Sequence, residues 1–284
     1  MIDDKEIAYL IQLLDDPDDE VFRHVEEKLR MFGSPVISSL EAAWEKSFDP
    51  MLQERIENLI HKIQFETVLR ELELWRMGGG FDLLQGLIII NKYQYPETDE
   101  QTIINQIDEI KRDAWLDMMY NMSAVERVRL LNNVFYNLHG FKGNTKHYHD
   151  PQNSYIGKVL ETRKGNPILL ASIYSIVAQR LDIPIYGVNL PRHFILAYTD
   201  EQVKEEDHVI LFYINAFNRG QIFGKHDVLS FLKQLNLPAD KQFFFPCDNT
   251  AIISRVLRNL MASYSQSGAA EKVEEIQQLL AIFG

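Results

Sequence analysis

The chain has 284 residues, 46% of them hydrophobic and 11% aromatic, which suffices for a packed core and excludes a disordered polymer. Its net charge of −12 argues against nucleic acid as a partner, because phosphate binding needs clustered Lys and Arg. No apolar run reaches the roughly 18 residues that span a bilayer, and the N-terminus lacks the basic and apolar stretches of a signal peptide, so no membrane partner is expected. Cys247 is the single cysteine, which leaves no intrachain disulfide and no thiolate-rich zinc site and fits a cytoplasmic setting.

Residues 7–63 carry apolar side chains at helical spacing. Ile7, Leu10, Ile11 and Leu14 predict a first helix, and Val21, Phe22, Val25 and Leu29 a second. Asp15-Asp16-Pro17-Asp18 reads as a helix stop and restart, and Gly33-Ser34-Pro35 as the next break. Asp49-Pro50 repeats the Asp16-Pro17 signal one helix pair later and opens a helical stretch over 52–63. The pattern LLDDPDDEV…EKLRMFG resembles the HEAT repeat, in which an Asp-Pro turn separates two stacked helices; a plain helical bundle is the alternative.

Helical spacing continues over 65–138, most clearly at 81–92 and 102–119, with breaks at Gly78-Gly79-Gly80 and Tyr95-Pro96-Glu97-Thr98-Asp99. The stretch 140–153 is rich in Gly, Asn, Asp and His and predicts a long loop. Strands are expected at 183–188, 194–198 and 209–217, the last two forming a hairpin around a polar connection. Helices return at 250–265 and 270–283, separated by Ser267-Gly268.

The chemistry concentrates in the middle. Asn166-Pro167 has the form of a helix start, with Asn as cap and Pro at the first position, where its missing N–H costs nothing. The helix predicted over 168–181 is apolar almost all round, so it should lie buried beneath the sheet. A hairpin symmetric about Lys204 sets His193 opposite Asn215, on one face. A His and an Asn beside a helix start are two parts of a papain-type site, whose helix start carries a cysteine activated by the helix dipole and the imidazolium.

The run NSYIGKVLETRKGNPILLASIYSIVAQRLDIPIYGVNLPRHFIL, followed by FYINAFNRG, resembles the bacterial SirB-type transglutaminase-like family with its tetratricopeptide-like tail. The resemblance implies an α+β, mostly helical fold: a papain/transglutaminase-like core of one buried helix and a small antiparallel sheet, flanked by helical segments. It covers roughly 65–283 and implies a transglutaminase-like domain at 65–248 (helical over 65–138, core over 150–225) and a tetratricopeptide-like tail at 249–284, with the HEAT-like segment at 1–64 lying ahead of it. Carried over by motif, Pro167 takes the place of the catalytic cysteine, His193 that of the histidine and Asn215 that of the aspartate. Asn is a tolerable substitute for Asp. Proline offers no nucleophile, proton donor or N–H, so the triad is vestigial.

Other candidates are weaker. Cys247 follows the aromatic run Phe243-Phe244-Phe245-Pro246 and reads as an inert core thiol. Ser154 and Ser172 sit in no nucleophile elbow. His147, His149 and Asp150 read as a solvated loop, so no metal and no cofactor is expected. Arg192 beside His193 is placed to receive a carboxylate. Two functions stay open: a non-catalytic module binding a protein or peptide through Arg192, His193 and Asn215, and a hydrolase of altered chemistry in which His193 with Asn215 activates water or an unidentified nucleophile. A His193 face filled by Phe or Tyr favours the first, and an open pocket the second.

Overall fold

The computed structural model describes residues 4–200 and 209–284. The chain divides into two compact units, Met1–Leu74 and Trp75–Gly284. The first contains α1 (Asp4–Gln12), α2 (Asp19–Phe32), α3 (Ile37–Lys46) and most of α4 (Pro50–Met77). Leu14, Leu29, Leu40, Ile56 and Leu59 form its buried core. The breaks follow the residues that predict them: Asp18 caps α2 by accepting from the Glu20 N–H at 2.8 Å, and Asp49 accepts from the Met51 N–H as α4 begins. No Gly or Pro interrupts residues 51–77, so α4 runs without a break through residue 65.

The second unit opens with α5 (Leu83–Gln94), α6 (Glu100–Leu116) and α7 (Ala124–Asn132), each started by an Asp or Ser cap. The loop that follows is held by a two-residue parallel ladder, β1 (Lys142–Gly143) on β2 (Lys164–Gly165), with the short α8 (Ile156–Thr162) between. Then come α9 (Pro167–Gln179) and a four-stranded antiparallel sheet in the order β3 (Ile185–Leu190), β4 (His193–Thr199), β5 (Ile210–Asn215), β6 (Gln221–Phe223). Three helices close the unit: α10 (Lys225–Gln234), α11 (Asn249–Ser267) and α12 (Ala270–Ala281). This is a mostly helical α+β fold with a small antiparallel sheet among helices.

Helix α9 is the hub. It is buried from Ile168 to Ala178, and it packs on β3 and β4 and touches α6, α8 and α11. Each fully buried Leu or Ile contributes about 1.5–3 kcal/mol relative to exposure, which anchors the sheet against it. Two glycines permit close approach at positive φ. A Cβ on Gly80 would lie 2.8 Å from Thr250 Cγ2, and one on Gly220 would lie 1.8 Å from Asn132 Oδ1.

The hairpin register departs from the expected symmetry. Its centre, Lys204, lies outside the described residues, but Ile214 pairs with Leu196 and Tyr213 with Ala197, with a bulge between Tyr198 and Thr199. Asn215 therefore falls opposite Ile195 rather than His193. The shift is two residues, so His193 and Asn215 stay on one face, diagonally offset. The strand β6 and the helix α10 are unpredicted elements. The first is only three residues long and has too little alternation to read.

Candidate functional site

The start of α9 is built from local chemistry. Asn166 Oδ1 accepts from the Leu169 N–H at 3.0 Å, the expected cap, and Pro167 takes the first helical position. The other half of the amide is also occupied, because Asn166 Nδ2 donates to Ser154 Oγ at 2.8 Å. Behind it stands a second buried amide. Asn153 Nδ2 donates to the carbonyls of His147 (2.7 Å) and Tyr148 (3.1 Å), and its Oδ1 accepts from Asn144 Nδ2 (2.9 Å). Asn153, Ser154 and Asn166 are all buried. The loop 144–154 is thus tied to the place where a papain-type enzyme holds its nucleophile.

His193 does not face that place. Alternation puts Val188, Leu190, Ile195, Ala197 and Tyr213 on one side of the sheet, where they cluster with Val228 and Leu232 of α10 and with Phe244. The opposite side carries Gly187, Phe194 and Leu196. A Cβ on Gly187 would meet Ile252 of α11 at 3.1 Å, and this is the side on which α9 packs. His193 pairs with Leu190 and so points to the α10 side, where its ring meets the edge of Phe231 at 4.7 Å between centroids. Burial, and then the positive charge of Arg255, lower its pKa below the usual 6.5.

The remaining sequence candidates fall as follows. Asn215 Oδ1 accepts from the Asn218 N–H at 3.1 Å and caps the turn after β5, and among the described residues no hydrogen bond joins it to His193. Arg192 stands exposed at the hairpin apex with φ 63°. Cys247 donates to the Gly187 carbonyl at 3.4 Å, and burial pushes its thiol up to about 11, which leaves little thiolate at neutral pH. Ser154 Oγ accepts the Asn166 amide, and Ser172 Oγ is buried in α9 without a partner among the described residues. His147, His149 and Asp150 line an open cleft of about 430 Å³ with Ser263 and Gln266 of α11. Among the described residues, no group of three or more His, Cys, Asp or Glu side chains could hold a metal ion.

One residue that the sequence reading missed is Arg255 of α11. Its Nη1 donates to Asn189 Oδ1 at 2.8 Å and to the Leu190 carbonyl at 3.3 Å, clamping α11 to the end of β3. An Arg-x-x-Arg pair, Arg255 and Arg258, in an acidic chain was the available signal.

A helix start over a small antiparallel sheet, with His on its second strand, is the arrangement expected from the resemblance. The sequence model of the transglutaminase-like superfamily matches residues 101–258, more than half of the chain. The chain belongs to the transglutaminase-like superfamily. Within the superfamily match lie the capped start of α9, the whole sheet and both arginines of α11. Similar curated proteins include the UPF0162 protein of Xylella fastidiosa, 29% identical over 214 residues, which are 69% of this chain and 71% of the relative. F-box only protein 21 of Mus musculus is 28% identical over 162 residues, 53% of this chain and 23% of that protein. Protein SirB1 of Salmonella typhimurium is 24% identical over 204 residues, 71% of this chain and 73% of the relative. The chain thus spans less than a quarter of the F-box protein and about two thirds of a Vibrio cholerae UPF0162 protein, at 66%. No solved structure matches the chain. Among the described residues no helix is long and apolar enough to cross a membrane.

Proposed function

We propose that this transglutaminase-like chain is a non-catalytic, SirB-type module that binds a protein or peptide partner in the cytoplasm. The observation that carries the proposal is the surroundings of His193. Its ring packs on Phe231, on a sheet face filled by Tyr213 and Phe244 and turned away from the start of α9. Among the described residues, no nucleophile and no orienting carboxamide hydrogen-bonds a base so placed, and general-base catalysis requires both. Pro167 and the fully engaged amide of Asn166 support the same conclusion, since the start of α9 offers no group to attack a carbonyl.

On this proposal the 1–64 segment is HEAT-like, 65–248 is the transglutaminase-like domain and 249–284 is a tetratricopeptide-like helix pair. Arg192 and His193, exposed at the hairpin apex, contribute to the partner surface, with Asn215 on the same face holding the turn that follows. The test is affinity capture from lysate with the wild type and His193→Ala, with hydrolase activity profiled on both samples. A partner retained by the wild type and lost by the variant, without turnover in either, is expected. Turnover abolished by His193→Ala overturns the proposal and makes the protein a hydrolase of altered chemistry.

A further inference from the structure

The second unit holds a half-buried arginine, Arg255, that among the described residues no carboxylate pairs with. Among the described residues, Arg255 bonds the protein only through Nη1, to Asn189 Oδ1 and the Leu190 carbonyl. Its Nε and Nη2 have no protein partner among the described residues, and they are not sealed from solvent. That free edge is the planar two-donor fork that receives a carboxylate bidentately.

Its neighbour on α11 adds positive charge rather than cancelling it. Arg258 lies one turn further along α11, exposed, and acts on Arg255 as a like charge. His193 sits across the strand pair from Leu190, the residue whose carbonyl Arg255 grips. Tyr148 approaches from the loop, and beyond it the cleft beside α11 carries Lys146, His147 and His149. Among the described residues, Asp150 lines the cleft and Asp248 acts on Cys247 next to Arg255; both are helix caps that keep their negative charge, and neither bonds Arg255. Asp248 accepts from the Ala251 N–H and the Thr250 hydroxyl, and Asp150 accepts from the Gln152 N–H. Like-charge crowding of this kind destabilises the free protein and is relieved by an anionic ligand. In a chain of net charge −12, two adjacent arginines, one with a free fork, point to an anionic partner.

We propose that Arg255 and Arg258, at the junction of α11 with the β3–β4 hairpin, form the anchor for side-chain carboxylates of an acidic peptide segment, which continues along the cleft past Tyr148. This rests on the binding-module function proposed above and names the chemistry of the partner. Arg255 supplies the bidentate grip, held in orientation by Asn189, and Arg258 supplies a second, more exposed charge.

The test uses the full chain and fluorescence anisotropy of a labelled, C-terminally amidated peptide of alternating Glu and Gly. Its controls are the same peptide with Gln for Glu and a single-stranded oligonucleotide of equal charge. Arg258→Gln removes an exposed side chain that makes no hydrogen bond or ion pair among the described residues, so it should fold normally, and Arg255→Lys keeps the charge while losing the fork. Binding of the Glu peptide weakened about 10-fold by Arg255→Lys and about 5-fold by Arg258→Gln is expected, with Arg258→Gln unfolding at no lower a temperature than the wild type. Equal affinity of the Gln peptide, tighter binding of the oligonucleotide, no binding by the wild type, or affinities unchanged in both variants would each overturn the proposal. The affinity-capture experiment separates the two levels. A natural partner still captured by Arg258→Gln and Arg255→Lys removes this anchor while leaving the binding-module function in place.

Discussion

Replacing Asn166 by Ala tests whether the start of α9 is a structural lock. Two bonds are lost. The cap to the Leu169 N–H accounts for about 1 kcal/mol, and the buried Ser154 hydroxyl left without its donor adds about 1–2 kcal/mol. The total of about 2–3 kcal/mol corresponds to a fall of about 30- to 150-fold in amide protection along α9, because a helix buried on all sides exchanges only when its unit opens. Hydrogen exchange of peptides covering 168–179, read by mass spectrometry, measures this directly. Asn166→Asp provides the contrast. Its oxygen still caps, the Ser154 hydroxyl can turn to donate, and the negative charge lies at the favourable end of the helix dipole, so a loss within about 1 kcal/mol is expected. Exchange in Asn166→Ala within about 3-fold of the wild type would refute the assignment of this turn as a lock.

Restoring a thiol should not restore chemistry. Pro167→Cys is expected to give no amine incorporation and no thiol-dependent hydrolysis, because His193 lies on the other side of the sheet, and turnover in that variant would contradict the assigned faces. Cys247 should react with iodoacetamide at pH 7.5 about 100-fold more slowly than a free thiol, since its pKa lies near 11 rather than 9.0; labelling as fast as a small-molecule thiol would show it exposed. For His193 the folded-state pKa is depressed below 6.5, so the unfolded chain takes up a proton that the folded one refuses. Its stabilising contribution is complete above about pH 6.5 and is lost as pH falls through the folded value. An NMR titration should place the midpoint below 6.5 and move it upward in Arg255→Gln, and a midpoint unmoved by that variant would break the coupling between the two groups.

Much of the second unit was legible because its signals are local. The cap and first residue of α9, its all-round apolar surface, the break at Gly268 with φ 76° and the three main strands are each written in a few adjacent residues. Helix α10 escaped although it carries a signal. Asp227 Oδ2 accepts from the Gly224 N–H at 2.8 Å at its start, and Val228 and Leu232 supply its apolar stripe. The hairpin register escaped for a different reason. Symmetry about the connection assumes an even ladder, whereas the pairing is offset and carries a bulge between Tyr198 and Thr199.

The sequence by itself determined that Pro167 could not act, because a proline at a helix start has no nucleophile and no N–H. That is a property of side-chain chemistry and needs no third dimension, whereas the burial that keeps Cys247 a thiol belongs to the fold. Only the tertiary structure decided which way His193 points, because a strand's two faces become distinct only when α9 and α10 cover opposite sides of the sheet. The same holds for Arg255, which is remote in sequence from Asn189 and Leu190 and acquires its grip on the hairpin, and its free carboxylate-binding edge, only when α11 docks there.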